Sequence, residues 1–134
     1  MLRNPRAMGW IAFYSTHNYE LFAFRSWIVA YLAFALSGTD IGGIQPSIIV
    51  FFGVLLGMPT SVIGNELSMR FGRPLIVNSI MVFSTVFAFL VGNSAGMTVT
   101  IFIAIVLVYG CLVTGESASI TTGAIESATE ESRG

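Results

Sequence analysis

The sequence predicts an all-α, polytopic membrane protein with four transmembrane helices. Hydrophobic residues make up 54% of its 134 residues and charged residues only 10%, whereas water-soluble domains carry about a quarter charged residues. Four apolar stretches also reach the length of about 20 residues that a helix needs to cross a bilayer. The apolar stretches make the lipid bilayer the expected partner. Because the formal net charge is −1, the chain lacks the positive electrostatic potential that nucleic-acid binding requires.

The four predicted spans lie at about 8–36, 44–66, 74–92 and 97–122. The segments between them are rich in glycine, serine and asparagine, and Pro74 closes the second of these segments. Since the connections are short, we expect successive helices to be antiparallel neighbours within a single transmembrane region, 1–134.

The positions of the arginines predict the orientation of the chain in the membrane. They carry all of its fixed positive charge, because the chain contains no lysine. Positively charged residues near the ends of spans favour the cytoplasmic side. Five of the six arginines fall on one side of the predicted membrane: Arg3, Arg6, Arg70, Arg73 and Arg133. The sequence therefore predicts an even number of crossings with both termini in the cytoplasm.

Small residues recur at helical spacing inside two of the spans. Gly53 and Gly57 form a Gly-x-x-x-Gly pattern in the second span, and Gly115, Ser119 and Gly123 repeat every fourth residue in the fourth. Such faces allow the backbones of two membrane helices to approach closely. We expect these residues to mark helix-packing surfaces.

The first span is unusual because it contains His17, Glu20 and Arg25 near its middle. A charge at this depth costs about 2.5–3.5 kcal/mol on insertion scales, so such residues normally face the bundle interior or pair with one another. His17 and Glu20 share one helical face. Arg25 is expected to seek a partner on another helix, and Glu116, the other acid well inside a span, is the candidate.

Two interpretations of these four polar residues stay open. They could form a structural network that holds the helices in register, or they could line a pathway for a substrate or for protons. Burial favours the protonated form of a carboxyl group, which suits proton coupling. Arg25 hints at an anionic solute, but the glutamates are equally suited to protons or a cation.

Enzymatic chemistry is not indicated by the sequence. It contains one histidine and one cysteine, Cys111, no second histidine at a metal-ligand spacing, no glycine-rich phosphate loop and no recognisable catalytic set. We therefore expect no metal, no cofactor and no catalytic residues.

The segment from Gly64 to Pro74 reads Gly-Asn-Glu-Leu-Ser-Met-Arg-Phe-Gly-Arg-Pro. It resembles the signature loop of the major facilitator superfamily, Gly-x-Leu-x-Asp-Arg-x-Gly-Arg, which joins helices two and three and recurs in degraded form between helices eight and nine. The positions that match are Leu67, Arg70, Gly72 and Arg73. Asn65 and Met69 depart from the pattern, at the first glycine and at the acid.

This resemblance implies a part of the superfamily's twelve-helix fold, which is built from three-helix repeats with a substrate site near the midplane. It also implies secondary active transport of a small solute by alternating access, with the loop acting as a cytoplasmic latch. The degenerate loop and the polar segment around Glu116 favour helices seven to ten over helices one to four. We expect a fragment whose partners are the missing helices, a small solute and protons, in a bacterial inner (plasma) membrane.

Two alternatives remain for the function. One is a four-span homodimeric exporter like the small multidrug pumps, which also carry a glutamate in their first span. The other is a non-transporting membrane subunit that binds partner helices through its small-residue faces. The sequence predicts neither the substrate nor the coupling ion.

Overall fold

The computed structural model describes residues 4–39, 43–94 and 96–127, apart from the side chain of Arg6. These residues form five helices: α1 (Pro5–Ala35), α2 (Pro46–Phe71), α3 (Arg73–Gly92), α4 (Val99–Gly115) and α5 (Ser117–Ser127). No β-strand occurs among them, so the predicted all-α class is confirmed. Arg3 and Arg133, which contributed to the predicted orientation, lie outside the described residues.

Three helical segments of the described chain are long and apolar enough to cross a membrane. They are Pro46–Phe71, Arg73–Gly92, and the stretch Val99–Ser127 that α4 and α5 form together. Helix α1 is longer, with 31 residues, but Asn18, Glu20 and Arg25 interrupt its apolar run. The membrane character predicted for the second, third and fourth spans therefore has a structural counterpart in length and composition.

The connection between α2 and α3 consists of Gly72 alone. Its φ of +95° lies in the region that favours glycine, because a Cβ atom is disfavoured there. The predicted spans end at residue 66 and begin again at residue 74, whereas α2 continues to Phe71. Pro74 occupies the first turn of α3, where a missing backbone N–H breaks no helical hydrogen bond.

Helix α4 packs against α2 through the small-residue face of α2. A Cβ atom at Gly57 would lie 2.6 Å from Oγ1 of Thr114, and one at Gly64 would overlap the carbonyl oxygen of Gly115. The backbones of α2 and α4 are thus in direct contact. Close approach of this kind is typical of membrane helices, which gain their association energy from van der Waals packing.

Helix α1 lies along the α4–α5 stretch from one end to the other. Near its C-terminal end, Ile28 and Leu32 pack with Val106 in one hydrophobic cluster. Near its N-terminal end, Trp10 packs with Val77 and Ile120 in a second cluster. The polar residues of α1 lie between these two apolar clusters.

The outer surface of the bundle is apolar. Large hydrophobic side chains are exposed on every long helix, and they include Phe22, Phe34, Phe51, Phe52, Met58, Val62, Phe83 and Phe89. An extended apolar surface of this kind marks contact with lipid or with further protein.

Candidate functional site: a buried polar cluster

A polar cluster lies inside the bundle, between the two hydrophobic clusters. We call it the central polar cluster, and its members come from α1, α3, α4, α5 and the α4–α5 junction: His17, Glu20, Ser84, Tyr109, Glu116 and Ser117. His17 and Glu20 are three residues apart on α1, which places both on the face that meets the other helices.

His17 and Glu116 form the core of this cluster. Nδ1 of His17 lies 2.9 Å from Oε1 of Glu116, and the side chains are only 2% and 0% exposed. The second ring nitrogen, Nε2, lies 2.8 Å from the hydroxyl oxygen of Ser117. Both nitrogens of the only histidine are therefore engaged by the residues at the α4–α5 junction.

These contacts accommodate two protonation states without a change of partners. A neutral imidazole that donates from Nδ1 to Glu116 accepts a hydrogen bond from the Ser117 hydroxyl at Nε2. A protonated imidazole donates from both nitrogens, and the Ser117 oxygen then accepts. The geometry can thus hold one additional proton at a site enclosed by protein.

Glu116 is the single residue between α4 and α5. The continuous helix predicted here is irregular at this residue alone, because its φ of −90° and ψ of −16° remain helical and its carbonyl oxygen accepts a hydrogen bond from the Ile120 N–H at 3.0 Å. Gly115 and the following serines and threonines are weak helix formers, since glycine loses backbone entropy and hydroxyl side chains compete for backbone hydrogen bonds. The irregular turn carries the carboxyl group that contacts α1.

The second carboxyl oxygen of Glu116, Oε2, is buried and has no hydrogen-bond partner among the residues that the structure describes. Most buried polar atoms in folded proteins are hydrogen-bonded, so an unpartnered one calls for an explanation such as a bound water, proton or ligand. The position of this oxygen is therefore a candidate binding point within the cluster.

Glu20 forms the other arm of the cluster. Its Oε1 accepts hydrogen bonds from the hydroxyl groups of Ser84 on α3 and Tyr109 on α4, the latter at 3.0 Å. Phe24 on the next turn of α1 packs edge-on against the Tyr109 ring, with centroids 5.0 Å apart. A single carboxylate thereby links three helices.

Arg25 does not join these residues. It is exposed, and none of the described residues forms an ion pair or hydrogen bond with it. Glu116, which the sequence proposed as its partner, contacts His17 instead. Arg25 borders a groove between α1, α2 and α4, with Gly53 of α2 and Gly110 of α4 in the same lining.

The residues that resemble the signature loop lie on the last turns of α2, at Gly72 and at the first residue of α3. Arg70 pairs with Glu66 one turn earlier on the same helix, at 2.8 Å, and both side chains are exposed. Arg73 instead reaches Glu126 of α5 at 2.9 Å, and its side chain is only 14% exposed. The fourth matching residue, Leu67, is exposed on α2. Of the two arginines, Arg73 is the one that joins separate helices, while a latch function remains a prediction.

The predicted packing residues lie at close helix contacts. Gly53 faces Leu107 and Gly57 faces Thr114, while a Cβ at Gly123 would lie 2.9 Å from the indole ring of Trp10. Ser119 donates a hydrogen bond to the Ser68 hydroxyl at 2.9 Å, which joins α5 to α2. Gly115 supplies the carbonyl that touches Gly64.

The sequence analysis did not predict the roles of several residues in the central polar cluster and in the helix contacts around it. Ser84 and Tyr109 carry hydroxyl groups in the middle of apolar helices, and a buried tyrosine hydroxyl usually finds a partner. That signal was available in the sequence, but it does not specify which partner. Gly64 continues the spacing of Gly53 and Gly57 along α2, and its spacing could have shown that the packing face extends further.

A metal centre finds no support in the described part of the chain, where no group of three or more His, Cys, Asp or Glu side chains could hold an ion. The chain matches no protein-family model, no curated protein and no solved structure. The functional argument therefore rests on the geometry of the site.

Proposed function

We propose that the chain crosses the membrane four times and forms part of a secondary active transporter that moves a small solute by alternating access. In this proposal it corresponds to helices seven to ten of a protein of the major facilitator superfamily type. The turn at Gly72 and the link between Arg73 and Glu126 support the comparison, because Arg73 joins the start of α3 to α5 at the end of the bundle where the signature loop would lie.

The packing of α1 supports a fourth crossing. At 1.5 Å per residue, its 31 residues extend about 46 Å, which exceeds the bilayer core of about 30 Å. It also contacts the α4–α5 stretch near both ends, through Trp10 and through Leu32. If Val99–Ser127 spans the bilayer, a helix that accompanies it over this distance spans it as well.

Cysteine accessibility tests this topology. In a Cys111→Ala background, we expect Ser37→Cys and Asn93→Cys to react with an impermeant maleimide added outside intact cells. Pro5→Cys, near the start of α1, and Met69→Cys, near the end of α2, should react only after the cells are opened. Reaction of Pro5→Cys in intact cells together with Ser37→Cys would contradict the crossing by α1, and reaction of Met69→Cys in intact cells would contradict the predicted orientation.

One observation carries the transport proposal, namely the buried contact between His17 and Glu116 inside the bundle. Ionisable residues inside membrane segments are costly, and they commonly mark substrate or proton pathways. The unpartnered Oε2 of Glu116 supplies an acceptor for a proton or for a donor group of the solute.

A vesicle assay tests this role. Inside-out vesicles from cells that produce the full gene product are energised, and a fluorescent acridine reports the proton gradient while organic anions, organic cations, amino acids and sugars are added in turn. We expect at least one solute class to dissipate the gradient. Glu116→Gln should abolish the response, whereas Glu66→Gln should retain it because Glu66 is exposed and pairs within its own helix.

The outcome separates transport from a structural role. If Glu116→Gln lowers the amount of folded protein but leaves the response per molecule unchanged, the cluster only holds the helices in register. A response to none of the solutes, together with altered assembly in Glu20→Gln and Arg25→Gln, would favour a non-transporting membrane subunit.

A further inference from the structure

A second polar group with an unexplained environment lies away from the central polar cluster, at the end of the bundle where α3 begins. Nη2 of Arg73 donates to Glu126, but Nη1 is buried and has no hydrogen-bond partner within the described part of the chain. Leaving a charged donor buried and unpaired costs more than a typical hydrogen bond gains. This nitrogen therefore needs a partner that the described side chains do not provide.

Arg73 borders a cavity of about 410 Å³ between α1, α3 and α5. This volume lies within the range of about 300–1,000 Å³ that is usual for ligand sites. Since Nη1 is covered by neighbouring atoms, a ligand oxygen in the cavity reaches it only after the guanidinium turns toward the cavity. Guanidinium groups bind phosphate oxygens in a bidentate manner, which suits this site to a phosphate-bearing ligand.

The remaining walls of the cavity are largely apolar. Trp10 and Phe13 of α1 form one side, with ring centroids 6.0 Å apart, and Val77 of α3 forms another. An inorganic phosphate would leave these walls in contact with water. An amphiphile that places its phosphate at Arg73 and its glycerol and first methylenes against the aromatic rings would cover them, which releases water from apolar surface.

We propose that this cavity binds the headgroup of a membrane phospholipid in the cytoplasmic leaflet, with Arg73 contacting the phosphate. The proposal rests on the membrane crossing proposed above, because the predicted orientation puts α3 Arg73 on the cytoplasmic side. Arg73 supplies the kind of basic group that recognises anionic headgroups between membrane helices on that side, while the Glu126 carboxylate in the same lining weakens the binding of a phosphate. Asn78, which also lines the cavity, offers an amide donor for a second headgroup oxygen.

The two tryptophans of the chain provide the readout. Trp10 lines the cavity, while Trp27 is 71% exposed on the surface of α1. In Trp27→Phe protein held in non-brominated mixed micelles, Trp10 reports quenching by added phosphatidylglycerol with dibrominated acyl chains. The comparison lipid is a diacylglycerol that carries the same brominated chains and no phosphate.

We expect the phospholipid to quench Trp10 saturably. Half-maximal quenching should occur at about tenfold lower mole fraction than with the diacylglycerol, because the hydrogen bond between Arg73 and the phosphate contributes at least about tenfold in affinity, the lower limit for a bond to a charged group. Arg73→Gln should remove this difference. Arg70→Gln should keep it, because Arg70 lies at the same end of the bundle but does not border the cavity. Equal quenching by both lipids, or equal loss in both arginine variants, overturns the proposal.

Two further measurements remove the remaining ambiguities. Inorganic phosphate at millimolar concentration should leave the quenching unchanged, and displacement of the lipid would assign the site to a soluble phosphate compound instead. Should Arg73→Gln fail to fold, Glu126→Gln decides, because it frees Nη2 of Arg73 from its carboxylate partner. The variant should bind the phospholipid several-fold more tightly, and unchanged or weaker binding overturns the proposal.

A control separates this proposal from the membrane crossing on which it rests. In Trp10→Phe protein, the remaining Trp27 should be quenched by both brominated lipids to the same extent, since it faces bulk lipid. Loss of that quenching contradicts the membrane placement. Quenching of Trp27 without selective quenching of Trp10 contradicts the headgroup site alone.

Discussion

The contact between α2 and the end of α4 makes a graded prediction about glycine-to-alanine substitutions on α2. A Cβ at Gly64 would overlap the Gly115 carbonyl oxygen and lie 2.9 Å from its carbonyl carbon. Backbone atoms cannot rotate away, so the two helices must separate by more than a few tenths of an ångström. Inserting a methyl group into a packed interior typically costs about 1–3 kcal/mol, and we expect Gly64→Ala to cost about 3 kcal/mol.

The other two glycines of this face calibrate the effect. At Gly57 the new Cβ meets Oγ1, Cβ and Cγ2 of Thr114 at 2.6–3.1 Å, and because a side chain yields more readily than backbone, we expect a smaller cost of about 2 kcal/mol. At Gly53 it meets only Leu107 Cδ2 at 3.4 Å, which is ordinary contact. Gly53→Ala should therefore be neutral or stabilising, by up to about 0.5 kcal/mol, because alanine is the better helix former.

Unfolding by sodium dodecyl sulfate in mixed micelles, followed by tryptophan fluorescence, measures this series. The expected order of stability is Gly53→Ala, then Gly57→Ala, then Gly64→Ala as the least stable. A Gly64→Ala protein as stable as Gly53→Ala would show that the backbones of α2 and α4 do not touch, and the reasoning would fail. The same result would also remove support for the position of Glu116, which follows Gly115 directly.

Three further predictions concern contacts elsewhere in the bundle. Gly123→Ala places a Cβ 2.9 Å from the indole of Trp10, so in Trp27→Phe protein the emission of Trp10 should shift, whereas Gly9→Ala, which meets nothing within 4 Å, should leave it unchanged. Tyr109→Phe removes a hydrogen bond to Glu20 and should cost about 1 kcal/mol in the same unfolding assay, while the exposed Tyr14→Phe should cost nothing measurable. Arg73→Gln should lower the free energy of unfolding by about 1 kcal/mol, because the pair with Glu126 is partly exposed. Arg70→Gln should change it by less than about 0.5 kcal/mol, because the pair with Glu66 lies within one helix and is exposed.

Local patterns in the sequence were sufficient to predict the helices. The lengths of the apolar runs and the breaker residues place α2 and α3, since each depends on residues close together in the chain. The spacing of Gly53 and Gly57 likewise identifies a face of α2 before its partner is known. The reversal at Gly72 is similarly a local property, because glycine tolerates the required positive φ.

The pairing inside the site could not be predicted in this way. His17 and Glu116 are 99 residues apart, and their contact depends on the relative height of α1 and the α4–α5 stretch. That height is set by packing at both ends of α1, through Trp10 against Gly123 and through Ile28 and Leu32 against α4. A shift of α1 by one helical turn, about 5.4 Å, relative to the α4–α5 stretch would bring a different residue of α1 next to Glu116. The sequence does not determine this height, which is why it favoured Arg25 as the partner of Glu116.

The contact between α2 and α4 and the contacts of α1 with the other helices differ in how strongly binding of a proton or a solute can affect them. Helices α2 and α4 meet through glycine backbones, and their association does not depend on any ionisable group. Helix α1 contacts the remainder through side chains, and its His17 and Glu20 bind residues on three other helices and at the α4–α5 junction. Because lipid provides no hydrophobic driving force between helices, the polar contacts contribute a larger share to holding α1. Under the proposed transport function, α2 and α4 form the fixed frame, and occupancy of the central polar cluster alters the position of α1.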